Sequence, residues 1–212
     1  MVITSDKRRW LEISAVLLTG FMKYIFMGLL DFRAFYIATA CIFWSVYIFL
    51  RYRQNKLIMQ EWGFRNHNFK QTFLFLLPFS MIMVAVIVWY GIQYNTIFFN
   101  WHIIPVFLFY PAWGVIQQFL TAALIAGNLQ SIKNIKLGNT QVLLFTSLAF
   151  SFIHYPSTLL MIFTFFMELL FLVAYLKWRN LWALGLYHGW VASLLLFLVM
   201  GRDLWNELWK IF

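Results

Sequence analysis

Long apolar runs separated by short polar segments recur along the whole chain of 212 residues. Several of these runs reach or exceed the ~20 residues that an α-helix needs to cross the hydrocarbon core of a bilayer. Hydrophobic residues make up 63% of the sequence and charged residues only 11%, whereas about one-quarter of the residues in a soluble domain are charged. The pattern predicts an all-α fold, a polytopic membrane helix bundle with about seven transmembrane helices.

The apolar runs place the seven predicted spans at about residues 10–30, 34–50, 72–94, 111–129, 140–155, 157–178 and 181–200. The fourth run already begins at Trp101, but Pro105 and Pro111 interrupt it, so we expect a short first piece and a main helix from Pro111. The polar connection 51–71 mixes basic and apolar residues, which is typical of a segment in the cytoplasmic headgroup region. No internal repeat and no soluble segment stand out, so residues 1–212 are predicted to form a single membrane-embedded domain.

The basic residues predict the orientation of these spans. With the N-terminus inside, twelve of the 16 Lys and Arg residues fall in cytoplasmic segments, three fall in external ones, and Lys23 lies within the first span. The twelve are Lys7, Arg8, Arg9, Arg51, Arg53, Lys56, Arg65, Lys70, Lys133, Lys136, Lys177 and Arg179; the three are Arg33, Arg202 and Lys210. Because cytoplasmic loops are enriched in Lys and Arg, this asymmetry predicts a cytoplasmic N-terminus in a multi-pass protein of the cytoplasmic (cell) membrane. Basic residues spread between apolar runs argue against nucleic acid as a partner, and the bilayer is the expected partner instead.

Five polar side chains lie inside the last four predicted spans: Gln117, Gln118, His154, Glu168 and His188. A polar group is costly in hydrocarbon and usually faces the protein interior or a water-filled cavity. Each residue alone is compatible with a hydrogen bond between two helices. The set, at comparable depth in four helices, predicts one polar cluster in the interior of the bundle.

The cluster offers more than one chemistry. Two imidazoles can position a water, exchange protons near neutral pH and bind a metal. His154, His188 and Glu168 would supply a His2Glu ligand set for zinc, although nothing in their spacing requires a metal. Alternatively, Glu168 is the base that activates a water, or an acid paired with Lys23 or another partner in the bundle.

The histidines lie in a recognisable order. Phe150 to His154 has the form F-x-x-x-H, and His188 follows 34 residues later, behind Asn180-Leu181-Trp182. Residues 70–200 thereby resemble the CPBP group of intramembrane proteases, which includes the CAAX prenyl endopeptidases and bacterial bacteriocin-processing and immunity proteins. The pattern of that family is E-E-x-x-x-R, then F-x-x-x-H, then a final histidine motif. The resemblance implies an intramembrane endopeptidase that acts on membrane-bound or lipidated peptides or proteins, with the glutamates and histidines activating water.

The sequence departs from the family pattern at its acidic and basic positions. Gln117 and Gln118 stand where the glutamate pair belongs, Ala122 where the arginine belongs, and Ala192 where the final motif has Asn. An amide keeps the shape of a carboxylate but cannot act as a general base at neutral pH. The candidate catalytic residues that the resemblance and the polar set give are His154, His188, Gln117, Gln118 and Glu168.

Three functional hypotheses remain open. The first is an active endopeptidase in which Glu168 or a metal replaces the glutamate pair. The second is a catalytically silent family member that binds a membrane peptide or a partner protein as a scaffold or immunity factor. The third is a small transporter or proton relay that uses His154, Glu168 and His188.

Overall fold

The computed structural model describes residues 4–97 and 100–209, with Leu208 and Trp209 described by their main chain only. Every regular element over these residues is a helix, which confirms the all-α class. Within the described residues, six helices are long and apolar enough to cross a bilayer: Asp6–Leu29, Arg33–Gln54, Phe69–Gln93, Ile103–Ser131, Thr158–Trp178 and Leu181–Leu198. The chain is therefore a helical membrane protein. The count of seven spans, the cytoplasmic N-terminus and the cell membrane as its location stay predictions, and Lys210 lies outside the described residues.

The helices are numbered in chain order. They are α1 (Asp6–Lys23), α2 (Arg33–Gln54), α3 (Ile58–Trp62), α4 (Phe69–Gln93), α5 (Ile103–Gln118), α6 (Gly127–Ser131), α7 (Asn139–Phe152), α8 (Thr158–Trp178), α9 (Leu181–Leu198) and α10 (Leu204–Trp209). Two π-helical segments extend these elements, Tyr24–Leu29 after α1 and Phe119–Ala126 between α5 and α6. The polar connection 51–71 contains α3, in which Ile58 and Trp62 are buried.

Two helices differ from the sequence prediction. The expected break at Pro111 is wrong, because α5 runs without interruption from Ile103 and contains Pro111 as a buried residue. Pro105 lies in the first turn of α5, where backbone N–H groups have no intrahelical acceptor in any case. The predicted span 140–155 is the 14-residue helix α7, which ends at Phe152. At 1.5 Å per residue α7 is about 21 Å long, shorter than the ~30 Å hydrocarbon core.

The described chain packs as two compact units that interleave in sequence. The first contains residues 4–65 and 119–179, and the second contains residues 66–97, 100–118 and 180–209. The first unit therefore holds α1, α2, α3, α6, α7, α8 and the π-helical segment Phe119–Ala126. The second holds α4, α5, α9 and α10.

In the first unit, the Phe119–Ala126 segment packs against α1, α7 and α8, and α7 packs along α8. Its small residues Ala122, Ala123 and Ala126 are all buried, which lets the neighbouring helices approach closely. Glu12 of α1 is 4% exposed and accepts a hydrogen bond of 2.6 Å from Asn128 Nδ2. An acid this deeply buried is tolerated because polar partners surround it.

In the second unit, α9 packs on both α4 and α5. The contact with α5 includes close main-chain approaches at three glycines. A methyl group added at Gly114 would lie 2.4 Å from Gly185 O, and one added at Gly189 would lie 2.4 Å from Pro111 Cα. At Gly185 the added carbon would lie 2.6 Å from Val115 Cα. Only glycine permits this approach, and the spacing Gly185-x-x-x-Gly189 is the small-residue motif typical of helix pairs in membranes.

We expect Gly189→Ala to destabilise the protein. The new Cβ meets main-chain atoms of Pro111 that belong to a packed helix and cannot rotate away, so α5 and α9 must separate. Overpacking of this kind costs about 1–3 kcal/mol of unfolding free energy, which denaturant titration of the purified protein in detergent would measure. Gly28→Ala is the matched control, since nothing lies within 4 Å of its added Cβ. Equal stability of the two variants would contradict the close main-chain contact.

Candidate active site

His188 and Gln118 form a buried pair in the second unit. His188 is 3% exposed on α9, and Gln118, the last residue of α5, is fully buried. The amide nitrogen Nε2 of Gln118 lies 3.1 Å from Nδ1 of His188. With the amide nitrogen as donor, Nδ1 is the acceptor and the proton of the neutral imidazole sits on the ring Nε2. A carboxylate at this position would accept a hydrogen bond from Nδ1–H instead and would leave the lone pair on the ring Nε2, which could then act as a base or ligand.

The start of α9 fixes the depth of His188. Asn180 is fully buried, and its Oδ1 accepts from the backbone N–H of Ala183 at 3.0 Å as the N-cap of α9. The Nδ2 of Asn180 donates to His67 O at 3.1 Å. Further along, the Tyr187 hydroxyl donates to Phe73 O of α4 at 3.1 Å. The cap sets where α9 begins, so it also sets the height at which His188 meets Gln118.

Gln117 precedes Gln118 on α5 and is only partly buried. Successive residues of an α-helix are turned by about 100° from each other, so the two amides point in different directions. The helix changes to π-helical form directly after Gln118, at Phe119. Such π segments are frequent at functional sites, because they rotate the following residues out of the regular helical register.

His154 lies in a turn of the first unit, and not inside a helix as the sequence predicted. α7 ends at Phe152 and residues 153–156 form the turn, because the residue before Pro156 disfavours helical backbone. His154 Nδ1 lies 3.0 Å from Phe150 O. A carbonyl only accepts, so Nδ1 carries the proton and the ring Nε2 keeps its lone pair.

This contact gives the F-x-x-x-H motif a physical basis. The carbonyl of Phe150 lies in the last turn of α7, where main-chain acceptors lack helical partners, and a residue four positions on can reach it. The Phe150 ring is 2% exposed and packs edge-on against the imidazole, with ring centroids 4.9 Å apart. Phe150 therefore fixes both the tautomer and the plane of His154.

Two residues at the C-terminal end of α1 hold the same turn. Lys23 Nζ donates to Ile153 O at 2.6 Å, and the Tyr24 hydroxyl donates to Phe152 O. A cation at the C-terminus of α7 also compensates the partial negative charge of the helix end. The turn that carries His154 is thus held at two successive carbonyls, those of Phe152 and Ile153.

Glu168 is fully buried on α8 in the first unit. Thr164 lies one turn earlier on the same helix, and its Oγ1 lies 3.4 Å from His154 Nδ1. Residues four apart share a helix face, so Glu168 belongs to the face of α8 that Thr164 presents to His154.

The structure joins Gln118 directly to His188 and associates Thr164, on the helix of Glu168, with His154. Gln117, Gln118 and His188 belong to the second unit, and His154 and Glu168 belong to the first. The convergence of all five in one pocket stays a prediction. Over the described residues, 4–97 and 100–209, no three His, Cys, Asp or Glu side chains are grouped to hold a metal ion. The zinc set of His154, His188 and Glu168 likewise stays a prediction from the sequence.

Several supporting residues were missed at the sequence level. The signal for the glycine contacts was present, since Gly185 and Gly189 are four residues apart and flank His188. Asn180 before a long apolar run is also a recognisable N-cap signal. Thr164 and the Phe150 carbonyl carried no signal, because a lone threonine in a helix and a main-chain oxygen look the same in any apolar run.

One comparison with known proteins gives a match. Residues 99–194 match the family of type II CAAX prenyl endopeptidases, described as Rce1-like. The matched segment covers just under half of the chain and includes Gln117, Gln118, His154, Glu168 and His188. The match confirms the resemblance to the CPBP family that the sequence motifs indicated. No curated protein and no solved structure matches the chain significantly.

We expect Asn180→Ala to destabilise α9. It removes the acceptor for Ala183 N–H and the donor to His67 O, and loss of an N-cap alone costs about 0.5–2 kcal/mol. Asn180→Asp is the matched control, because a carboxylate keeps the cap acceptor and loses only the donor. Thermal unfolding in detergent should therefore rank the variants as wild type, then Asn180→Asp, then Asn180→Ala. A reversed order of the two variants would contradict the capping role.

Proposed function

We propose that this chain, whose residues 99–194 match the type II CAAX prenyl endopeptidase family, is a CAAX-protease-like intramembrane endopeptidase that acts on membrane-associated peptides or proteins. The observation that carries the proposal is the retained pair of oriented histidines within the matched segment. His154 is fixed by a main-chain carbonyl, and His188 is fixed by the side chain of Gln118. An endopeptidase needs such fixed imidazoles to hold the attacking water and the developing charge on the peptide carbonyl.

His154 is the residue proposed to hold and orient the attacking water. Its Nδ1–H is committed to Phe150 O, so the lone pair of the ring Nε2 is available to a water or to the substrate. The Lys23 and Tyr24 contacts keep the turn in place, which preserves the direction of that lone pair.

Glu168 is the residue proposed to replace the missing glutamate pair as general base. It is the carboxylate of the first unit that shares a helix face with Thr164, next to His154. The zinc hypothesis uses the same side chain as a ligand, so the two readings predict different responses to metal removal.

Gln118 is proposed to slow the reaction. Where the family pattern has a carboxylate, the amide donates to His188 Nδ1 and leaves a proton on the ring Nε2. His188 in this state is a hydrogen-bond donor toward a substrate oxygen rather than a base. Loss of one general base typically lowers a rate by about 10²–10⁴, so we expect slow turnover by the unmodified chain.

A second candidate function is favoured by the same amide. A neutral Gln118–His188 pair keeps the shape and the hydrogen bond of the site without its charge, as expected of a protein that binds a membrane peptide or partner protein and does not cleave it. No contact in the described residues favours the transporter or proton relay over these two.

We expect slow cleavage of lipidated or transmembrane peptides by the purified protein in liposomes. Glu168→Gln should lower the cleavage rate at least about 10²-fold, and Gln117→Glu with Gln118→Glu should raise it by about 10²–10⁴, because a base is removed or restored. Arg53→Gln, at an exposed position of α2, is the control and should leave the rate unchanged. Product mass and rate would be read by mass spectrometry.

The outcomes separate the candidates. Peptide binding without cleavage, in the wild type and in the double glutamate variant, would establish the silent binding protein and overturn the endopeptidase. If a chelator abolishes cleavage and zinc restores it, Glu168 acts as a zinc ligand and not as the general base. Absence of both binding and cleavage would overturn both candidate functions.

A further inference from the structure

A long groove runs between α1 and α2 in the first unit. It consists of two adjoining cavities of about 270 Å³ and 390 Å³, which share Ala15 and Phe43 in their walls. Their volumes are of the size that ligand pockets usually have. The α1 residues that line the groove recur every three or four positions, so one whole face of the helix borders it.

One part of the groove is mainly apolar. Small side chains at Ala15, Thr39 and Ala40 leave the space open. Phe26 stacks on Tyr36 with ring centroids 6.1 Å apart, and the Tyr36 hydroxyl donates to Thr19 O at 2.5 Å, so both rings are held in place in the wall of this part. From Arg8 to Phe26 the groove follows about 27 Å of helix, most of the ~30 Å hydrocarbon thickness.

The other part of the groove is charged. Arg8 and Arg51 both donate to one neutral acceptor, Gln54 Oε1, at 2.9 Å and 3.1 Å. The acid that lines this part, Glu12, accepts from Asn128 and from the Tyr47 hydroxyl and lies 3.7 Å from Arg51 Nε. The guanidinium groups of Arg8 and Arg51 therefore converge next to a single carboxylate, that of Glu12, which already accepts hydrogen bonds from other side chains. The lining carries a net positive charge that an anion would complement.

A second observation points to the same missing acceptor. Trp44 lines the charged part of the groove, and its side chain is 5% exposed. Its indole N–H is buried and has no hydrogen-bond acceptor among the described residues. A buried donor left without an acceptor is costly, and an ester or phosphate oxygen in the groove would supply one.

We propose that this groove is a binding site for one anionic phospholipid of the bilayer. The phosphate lies at Arg8 and Arg51, and one acyl chain extends along the apolar wall past Ala15 and Ala40 toward Phe26. The match of a charged end, a mainly apolar body and a length close to the bilayer thickness selects a lipid over a soluble anion. The convergence of two guanidinium groups selects an anionic headgroup over a zwitterionic one.

The site does not depend on the proposed function. All of its lining residues precede residue 99, where the matched segment begins. Its test uses lipid retention and no cleavage assay, so failure of one proposal leaves the other standing. A lipidated peptide is the competing occupant, because it too has a long apolar chain.

The headgroup is tested by native mass spectrometry of the full chain in neutral detergent with equal phosphatidylglycerol and phosphatidylcholine. We expect one phosphatidylglycerol retained in preference to phosphatidylcholine, and a loss of about fivefold in that preference in Arg8→Gln, as expected for one basic residue. Arg53→Gln removes the same charge from an exposed position of α2 outside the groove and should change nothing. No preference in the wild type, or an equal loss in both variants, would overturn the proposal.

The groove itself is tested by filling it. Ala40→Phe places a ring in the apolar part and should abolish retention of both lipids, whereas Ala38→Phe, on the same helix but outside the groove, should not. Thermal unfolding of each variant verifies that it folds. Retention unaffected by Ala40→Phe, or displacement of phosphatidylglycerol by one equivalent of a farnesylated peptide, would overturn the assignment.

Discussion

The main-chain contact between α5 and α9 is the constraint on which the second unit depends. Within a bilayer the hydrophobic effect does not drive helices together, so association relies on close packing and on hydrogen bonds. Gly185 and Gly189 remove the side chains that would hold α9 away from α5, and His188 lies between them in sequence. The hydrogen bond from Gln118 to His188 is therefore a consequence of the glycines: without that approach, an amide and an imidazole on separate helices could not meet at 3.1 Å.

The two histidines are held by different kinds of partner, and this determines how evolution can change each of them. His154 is oriented by the Phe150 carbonyl, which no substitution can remove while α7 ends where it does. His188 is oriented by the side chain of residue 118, which a single codon change alters. A glutamate at position 118 would accept from Nδ1–H of His188, whereas the glutamine amide donates to Nδ1. The exchange of glutamate for glutamine therefore moves the proton of His188 from Nδ1 to the ring Nε2 and leaves His154 unchanged.

Hydropathy predicted most of the fold because the length and apolar composition of a spanning helix can be recognised in the sequence. The predicted spans 157–178 and 181–200 agree closely with Thr158–Trp178 and Leu181–Leu198. The errors in the predicted helix boundaries arose where contacts with neighbouring helices determine the structure. Pro111 does not break α5 because membrane helices tolerate proline when the surrounding protein satisfies the freed groups, and Gly189 packs directly on its main chain. Burial of Glu168 and His188 followed from composition, whereas Thr164, the Phe150 carbonyl and the convergence on Gln54 required coordinates.

The basic residues that predicted the membrane orientation also make structural contacts. These contacts reduce the number of Lys and Arg residues that serve purely as topology signals. Arg8, Arg9, Arg51, Arg65 and Arg179 each bond to a protein group, so their positions are fixed by packing as well as by membrane sidedness. Setting these five aside leaves seven cytoplasmic basic residues against three external ones, of which Arg33 and Arg202 are paired with Asp31 and Glu207. A paired cation is a weaker topology determinant than a free one, so basic residues are discounted in both the cytoplasmic and the external segments. The excess of basic residues in the cytoplasmic segments, which predicts a cytoplasmic N-terminus, remains.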